Sequence, residues 1–125
     1  MMTSLFAAAA VLGLVTFAIH IFAGGPVVAR PLLADTHLPA ASKWLNYYCW
    51  HITTVLLVFI AAGFAAAAVR PDAWVLAIFL TVLCLALSVL SAGIALRGGL
   101  APLRLPSTSL FALTGCLGLA GIIAG

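Results

Sequence analysis

Side chains able to do acid–base or metal chemistry are concentrated in one part of this chain, residues 20–54. His20 and His51 are the main candidates, because histidine ligates haem iron and metals and titrates near neutral pH. Cys49 precedes His51 by two residues, and residues two apart on a helix do not share a face. The two histidines are therefore candidate cofactor-binding residues, whereas no catalytic residue and no metal ligand is assigned.

Three interpretations of this polar cluster remain open. In the first, His20 forms a hydrogen bond with Thr54, a tyrosine or a backbone carbonyl, and Arg30 and Lys43 contact lipid phosphates. In the second, His20 and His51 ligate a haem, a pigment or a metal; the cofactor itself is unknown. In the third, a histidine acts as acid or base on a lipid headgroup or isoprenoid while Arg30 holds the phosphate.

The composition indicates whether water or lipid surrounds the helices that carry these residues. Hydrophobic residues make up 66% of the 125, and charged residues only 6%, whereas a soluble domain has about 25% charged residues. The carboxylate side chains are limited to two aspartates in connections on opposite sides of the membrane, with no glutamate, so one subunit cannot build a two-carboxylate metal site. Such a chain cannot coat a water-soluble surface, and we expect an integral membrane protein.

Four apolar runs are each long enough to cross a hydrocarbon layer of about 30 Å, which needs about 20 helical residues. They cover about 4–23, 45–69, 73–96 and 107–125. Backbone amides find no partner in lipid, so unbroken runs of this kind predict helices. The predicted fold is all-α, a single transmembrane domain over 1–125 that forms a left-handed up-down bundle of four helices.

Glycine and proline indicate where these helices end. The GGP sequence at 24–26 predicts the end of the first helix. The predicted connection 24–43 is then unusually long, and long structured loops are often functional. Its apolar centre suggests that it lies along the membrane interface.

The basic residues predict the orientation. Arg30, Lys43, Arg97 and Arg104 fall in connections on one side, and Arg70 alone falls on the other. The positive-inside rule then places both long connections in the cytoplasm and both termini in the periplasm of a bacterial inner membrane. Aromatic residues at the cytoplasmic end form a predicted interfacial belt that contacts lipid or a partner: Trp44, Tyr47, Tyr48 and Trp50.

Small residues predict the faces through which the helices pack, because close backbone approach drives helix association in lipid. On the second helix, the predicted inward stripe includes His51, Thr54, Val58, Ala61 and Ala65. On the fourth, Gly121 and Gly125 form a small-xxx-small pair that packs within the bundle or between two copies. The remaining predicted packing residues, on the first and third helices, are Gly13, Thr16, Thr81, Cys84, Ser88 and Ser91.

Together these features favour a protein without catalytic activity of its own. We expect an accessory or assembly subunit of a larger membrane complex, or a homo-oligomer, with membrane lipids and other membrane subunits as partners. A cofactor-binding protein that uses His20 and His51 is the alternative, and an enzyme acting on lipid is the second alternative. Nucleic acid is not an expected partner, because the basic residues are dispersed and form no recognised module.

Overall fold

A computed structural model describes the backbone of residues 1–125 and every side chain except that of Pro71. It confirms the all-α architecture with four helices long and apolar enough to cross a membrane. These are α1 (Met2–Ala34), α2 (Ala40–Val69), α3 (Trp74–Arg97) and α4 (Pro106–Ile123). Short 3₁₀ turns, Pro71–Ala73 and Pro102–Arg104, lead into α3 and α4. The protein is a multi-pass four-helix membrane bundle.

The predicted end of the first helix at residues 24–26 is wrong. The chain stays helical through both glycines and Pro26 as a π-helical segment, Ile19–Ala29, and α1 ends only at Ala34. A π-helix pairs each amide with the carbonyl five residues back, as the Arg30 N–H does with the Gly25 carbonyl. This wider turn accommodates the proline, and continuing the helix keeps backbone groups paired at membrane depth.

The connection between α1 and α2 therefore spans only residues 35–39, and not 24–43. Asp35 shapes this turn: its Oδ1 accepts hydrogen bonds from the backbone N–H groups of His37 and Leu38, at 2.7 and 3.1 Å. Such side-chain bonding two and three residues ahead is how aspartate builds turns. Lys43 adds a bond from Nζ to the Leu33 carbonyl at 3.2 Å, near the end of α1. The two helices thus form one continuous hairpin.

The bundle has a terminal end and a loop end. At the terminal end a Cβ on Gly125 would lie 3.1 Å from Trp74, and Met2 is adjacent. At the loop end lie the connections 35–39 and 98–105. α2 has 30 residues and α4 has 18, so α2 is longer by about 18 Å at 1.5 Å per residue. This excess lies at the loop end, where residues 23–49 form a projecting hairpin.

Helix packing pairs large side chains with glycines. α1 contacts both α2 and α4, and α3 lies mainly against α4. Gly118 on α4 leaves space for Phe64 of α2, whose Cζ would lie 3.0 Å from an added Cβ. Gly121 faces Phe6 of α1 in the same way. Phe6 and Phe64 are 1% and 0% exposed, and their rings stack at 6.2 Å, so they form the centre of the core.

The inward face of α2 differs from the predicted small-residue stripe. Its buried residues are Leu57, Ile60, Ala61, Phe64 and Ala67. The predicted stripe residues Val58, Ala65 and His51 are exposed instead. The difference arises because the glycines of α4 and α1 supply the space, so α2 can present bulky residues. A small-residue stripe is needed on one partner of a helix pair only.

Arg70 and Asp72 form an ion pair at the terminal end, outside the membrane-spanning helices. Arg70 Nη2 lies 2.9 Å from Asp72 Oδ2, and both side chains are largely exposed. The hydrogen bond and the charge of Arg70 hold the pKa of the Asp72 carboxyl below its usual value. Any resulting stability is present above the ordinary carboxyl pKa and is lost as pH falls through the lowered one. Exposure keeps this contribution small.

Candidate functional site

His20 and Trp50 stack where α1 and α2 meet at the loop end. Their ring centroids are 3.8 Å apart and the ring planes differ by 20°. His20 lies within the π-helical segment, and both residues are half-buried. Gly24 lies one turn further along α1, and an added Cβ there would come 2.7 Å from the edge of the Trp50 indole. The glycine therefore leaves the space that this stack occupies.

Two oxygens on α2 contact the same nitrogen of His20. Nε2 lies 3.2 Å from the Trp50 carbonyl and 3.1 Å from Thr54 Oγ1. A carbonyl oxygen can only accept, so this contact assigns the proton to Nε2. The Thr54 hydroxyl donates in turn to the Trp50 carbonyl at 3.2 Å. This group, His20 with Trp50 and Thr54, is called the imidazole clamp below.

The imidazole clamp limits the chemistry open to His20. A protonated Nε2 that donates to a carbonyl has no lone pair for a metal or a haem iron. Only Nδ1 is left as an acceptor. Among the interpretations drawn from the sequence, the geometry matches the one in which His20 bonds Thr54 and a backbone carbonyl.

His51 has different surroundings from His20. It is exposed, and its ring meets Tyr47 edge to face at a centroid distance of 4.6 Å. Cys49 is also exposed. The side chains that the structure describes include no group of three or more His, Cys, Asp or Glu residues able to hold a metal. The two predicted cofactor ligands thus differ in their surroundings, since His20 bonds to α2 and His51 is exposed beside Tyr47.

The other residues predicted to contact lipid or a partner lie around the projecting hairpin. Arg30 is exposed, and Lys43 is bonded to the end of α1. Trp44 meets Tyr47 edge to face at 6.1 Å, and Tyr48 is 62% exposed. Trp50 is the exception in this set, because it packs against His20 and not outward.

Predicted packing residues occupy the bundle interior on α1, α3 and α4. Gly13 is buried against α2, where an added Cβ would lie 3.2 Å from the Ala61 Cα. Gly121 is buried against Phe6, whereas Gly125, beyond the end of α4, is exposed and lies beside Met2 and Trp74. Thr16, Thr81 and Cys84 are buried as well.

Serine and threonine hydroxyls hold α3 to α4 near the loop end. Ser88 Oγ donates to the Thr108 carbonyl at 2.7 Å. Ser91 Oγ lies 2.7 Å from Ser107 Oγ and 2.8 Å from Thr108 Oγ1. Interhelical hydrogen bonds of this kind commonly stabilise membrane bundles. This cluster is satisfied internally and presents no free group for a ligand.

A cavity of about 450 Å³ opens at the loop end between α1, α2 and the start of α4. Its wall includes His20, Gly24 and Val27 from α1, Thr53 from α2, and Arg104 just before α4. A second cavity of about 330 Å³ shares Val28, Trp50 and Thr53 with the first. The volume of the larger one falls within the roughly 300–1,000 Å³ of ligand pockets.

Sequence reasoning missed the partnership of Trp50 with His20 and the part that Gly24 and Arg104 play around the cavity. One signal for Trp50 was present: it lies four residues before Thr54, and residues four apart share a helix face. No comparable signal exists for the cavity. It depends on α1 continuing through Pro26, which the sequence pattern did not predict.

Fold and site together define a four-helix, multi-pass membrane protein with a histidine clamped between its first two helices. Comparisons with protein-family models, curated proteins and solved structures found no match to this chain.

Proposed function

We propose that this protein is a subunit of a larger assembly in a bacterial inner membrane and has no catalytic activity of its own. Its polar side chains inside the bundle support this role, because they bond to another helix or to their own helix. His20 bonds α2, Ser88 and Ser91 bond α4, and Thr81 bonds the Ala77 carbonyl of its own helix. Among the described side chains, no buried side-chain nitrogen or oxygen lacks a partner.

The projecting hairpin is the observation that carries the proposal. Residues 40–49 of α2 extend about 15 Å beyond the level of Trp50, whereas the headgroup layer adds only roughly 5–8 Å on each side. Trp44, Leu45 and Tyr48 on this part are 59%, 61% and 62% exposed. Spacings of four and three residues place Tyr48 next to both Trp44 and Leu45 on the helix surface. Large aromatic residues on an accessible face are the usual anchors of protein interfaces.

A heteromeric partner fits the structure better than a second copy of this chain. Small-xxx-small motifs drive self-association when they face outward. Here Gly118 and Gly121 are buried against other helices of the same bundle, and Gly125 lies beside Met2 and Trp74. Of the pair that suggested a homo-oligomer, Gly121 is therefore used within the bundle, and only Gly125 is exposed.

Site-specific photo-crosslinking in native membranes tests the subunit role. We expect a photoreactive residue at position 48 to give one discrete protein adduct, because Tyr48 lies on the exposed face of the projecting hairpin. Mass spectrometry of the adduct identifies the partner, and Trp44→Ala should weaken the same crosslink several-fold.

Position 79 is the matched control. Phe79 is 61% exposed on α3 but lies within the membrane-spanning part, so we expect lipid adducts only. Lipid adducts at both positions, together with a native mass of one chain in mild detergent, would contradict the subunit role. A stoichiometric Soret band, pigment absorption or metal content in the purified protein would favour the cofactor-binding alternative instead.

The proposed orientation places the loop end in the cytoplasm. Four of the five Lys and Arg residues lie at this end, with Arg70 at the terminal end. In a Cys49→Ser background, we expect Thr36→Cys to react with a membrane-impermeant maleimide only after the cells are lysed. Asp72→Cys should react in intact spheroplasts. The reverse pattern would invert the proposed topology.

A further inference from the structure

The wall of the larger cavity is more apolar than its residue types suggest. Three hydroxyl groups line it, and each already has a hydrogen-bond partner. Thr16 Oγ1 donates to the Leu12 carbonyl at 2.8 Å, Thr53 Oγ1 donates to the Cys49 carbonyl at 3.2 Å, and Ser107 Oγ pairs with Ser91. His20 Nε2 is held in the imidazole clamp. Water gains few hydrogen bonds in such a space, and apolar cavities tend to stay dry.

A cavity of about 450 Å³ beside a bilayer does not stay empty either. A hydrocarbon chain from the surrounding lipid would form dispersion contacts along its lining. Val27 and Val28 at its wall are 74% and 50% exposed, so the space is accessible from outside the bundle. The shape and chemistry of the wall therefore suit an alkyl chain.

Arg104 is the charged residue of this wall and lies at the level where α4 begins. It is exposed, and it forms no ion pair among the described side chains. Asp35, the one carboxylate at the loop end, is bonded to the backbone of its own turn. Arginine binds phosphate oxygens through its fork of N–H donors, and basic pockets beside membrane helices recognise anionic headgroups.

We propose that this cavity binds one anionic glycerophospholipid, with an acyl chain between α1, α2 and α4 and its phosphate on Arg104. The charge at the loop end favours this lipid over a zwitterionic one, because Arg30, Lys43, Arg97 and Arg104 outnumber Asp35. The site does not depend on the subunit role proposed above. A monomeric protein would bind the same lipid.

Native mass spectrometry tests this site. The protein is extracted from vesicles that contain equal amounts of phosphatidylglycerol and phosphatidylethanolamine. We expect one retained phosphatidylglycerol per chain. Arg104→Gln should lower the preference for this lipid about fivefold, in line with one basic residue near the membrane surface. Arg97→Gln removes an equal charge from the loop end without touching the cavity, and should leave the preference nearly unchanged.

A second experiment tests the site by filling the cavity with a larger side chain. Ala23→Phe places a ring into the space from an exposed position on α1, and we expect at least a tenfold loss of retained lipid. Ala7→Phe, at an exposed position on the same helix but outside the cavity, should retain it. Far-UV circular dichroism and a monodisperse elution profile confirm that both variants fold.

Four results would overturn the proposal, three from lipid retention and one from crosslinking. The lipid results are equal lipid retention by both phenylalanine variants, equal loss of preference for both glutamine variants, and complete displacement of the phospholipid by stoichiometric polyprenyl phosphate. The last would assign the cavity to an isoprenoid phosphate. A crosslinked protein segment at position 27 in place of lipid would assign it to a partner chain.

Discussion

Gly118→Val is expected to lower the free energy of unfolding by about 3 kcal/mol, or to prevent folding altogether. A Cβ at this position would overlap Thr81 Oγ1 of α3 and lie 3.0 Å from the Phe64 ring of α2. Thr81 and Phe64 are 2% and 0% exposed, so neither can move aside without disturbing the core. Reversible unfolding in mixed micelles, followed by far-UV circular dichroism, measures the loss.

Gly93→Val is the control for helix propensity and hydrophobicity. Gly93 also lies inside a membrane-spanning helix, α3, but nothing lies within 4 Å of an added Cβ there. Both variants replace glycine with the same β-branched residue, so any difference between them reports packing alone. A change within about 0.5 kcal/mol is expected for Gly93→Val. Comparable losses in the two variants would mean that α4 does not pack into the centre of the bundle.

The number of spanning helices follows from composition because the bilayer imposes a fixed length. Each run had to hold about 20 apolar residues, and four such runs were present. The connection at Pro71 and Asp72 was also predictable, since it is short and interrupts the hydrophobic pattern. These features depend on local sequence and on the solvent. They do not depend on which helix packs against which.

The end of α1 could not be predicted by the same reasoning. Rules that end helices at glycine and proline come from proteins in which water can bond the released backbone groups. At membrane depth those groups must stay paired, and the chain does this with a π-helical segment across Pro26. π-helical turns are rare and often occur at functional sites. This one carries His20 and Gly24, and its residues line the larger cavity.

Helix faces were predictable only where small residues lie on the side that packs. The stripe through Thr81 and Cys84 on α3 faces inward, as does Gly13 on α1. α2 follows the opposite logic, since Phe64 and Ile60 face inward against glycine-containing helices. Which of two packed helices contributes the large side chains depends on both helices. It cannot be predicted from the residue pattern of one helix alone.

The candidate site was also predicted only in part from the sequence. Sequence reasoning included Thr54 and a backbone carbonyl among the possible partners of His20, and both contacts are present. It also placed His51 on the inward stripe, because His51 shares the spacing of the small residues on α2. In the structure, α2 is rotated slightly about its axis relative to the predicted orientation. Trp50 and Thr54 therefore face α1, and His51 is exposed. That rotation is set by Leu57, Ile60 and Phe64 further along the helix.

His20→Ala is expected to lower the free energy of unfolding by about 2–3 kcal/mol at neutral pH. The variant loses the stack on Trp50, worth about 0.5–1.5 kcal/mol beyond burial, and a hydrogen bond to α2 worth about 1 kcal/mol. It also leaves the Trp50 carbonyl with one donor fewer. Unfolding in mixed micelles measures the change, and the fluorescence of Trp50 should shift because its aromatic partner is removed.

His51→Ala is the matched control, because it removes the same side chain one position after Trp50. His51 is exposed and contacts only the edge of Tyr47 among aromatic rings, so a loss of about 0.5 kcal/mol is expected. A double-mutant cycle of His20→Ala with Thr54→Val should give a coupling energy of about 1 kcal/mol, since the two residues share one hydrogen bond. Equal losses for the two alanine variants, with no coupling to Thr54, would contradict the proposed contribution of the imidazole clamp to stability. If both losses are large, the result would favour the cofactor-binding alternative, in which both imidazoles are ligands.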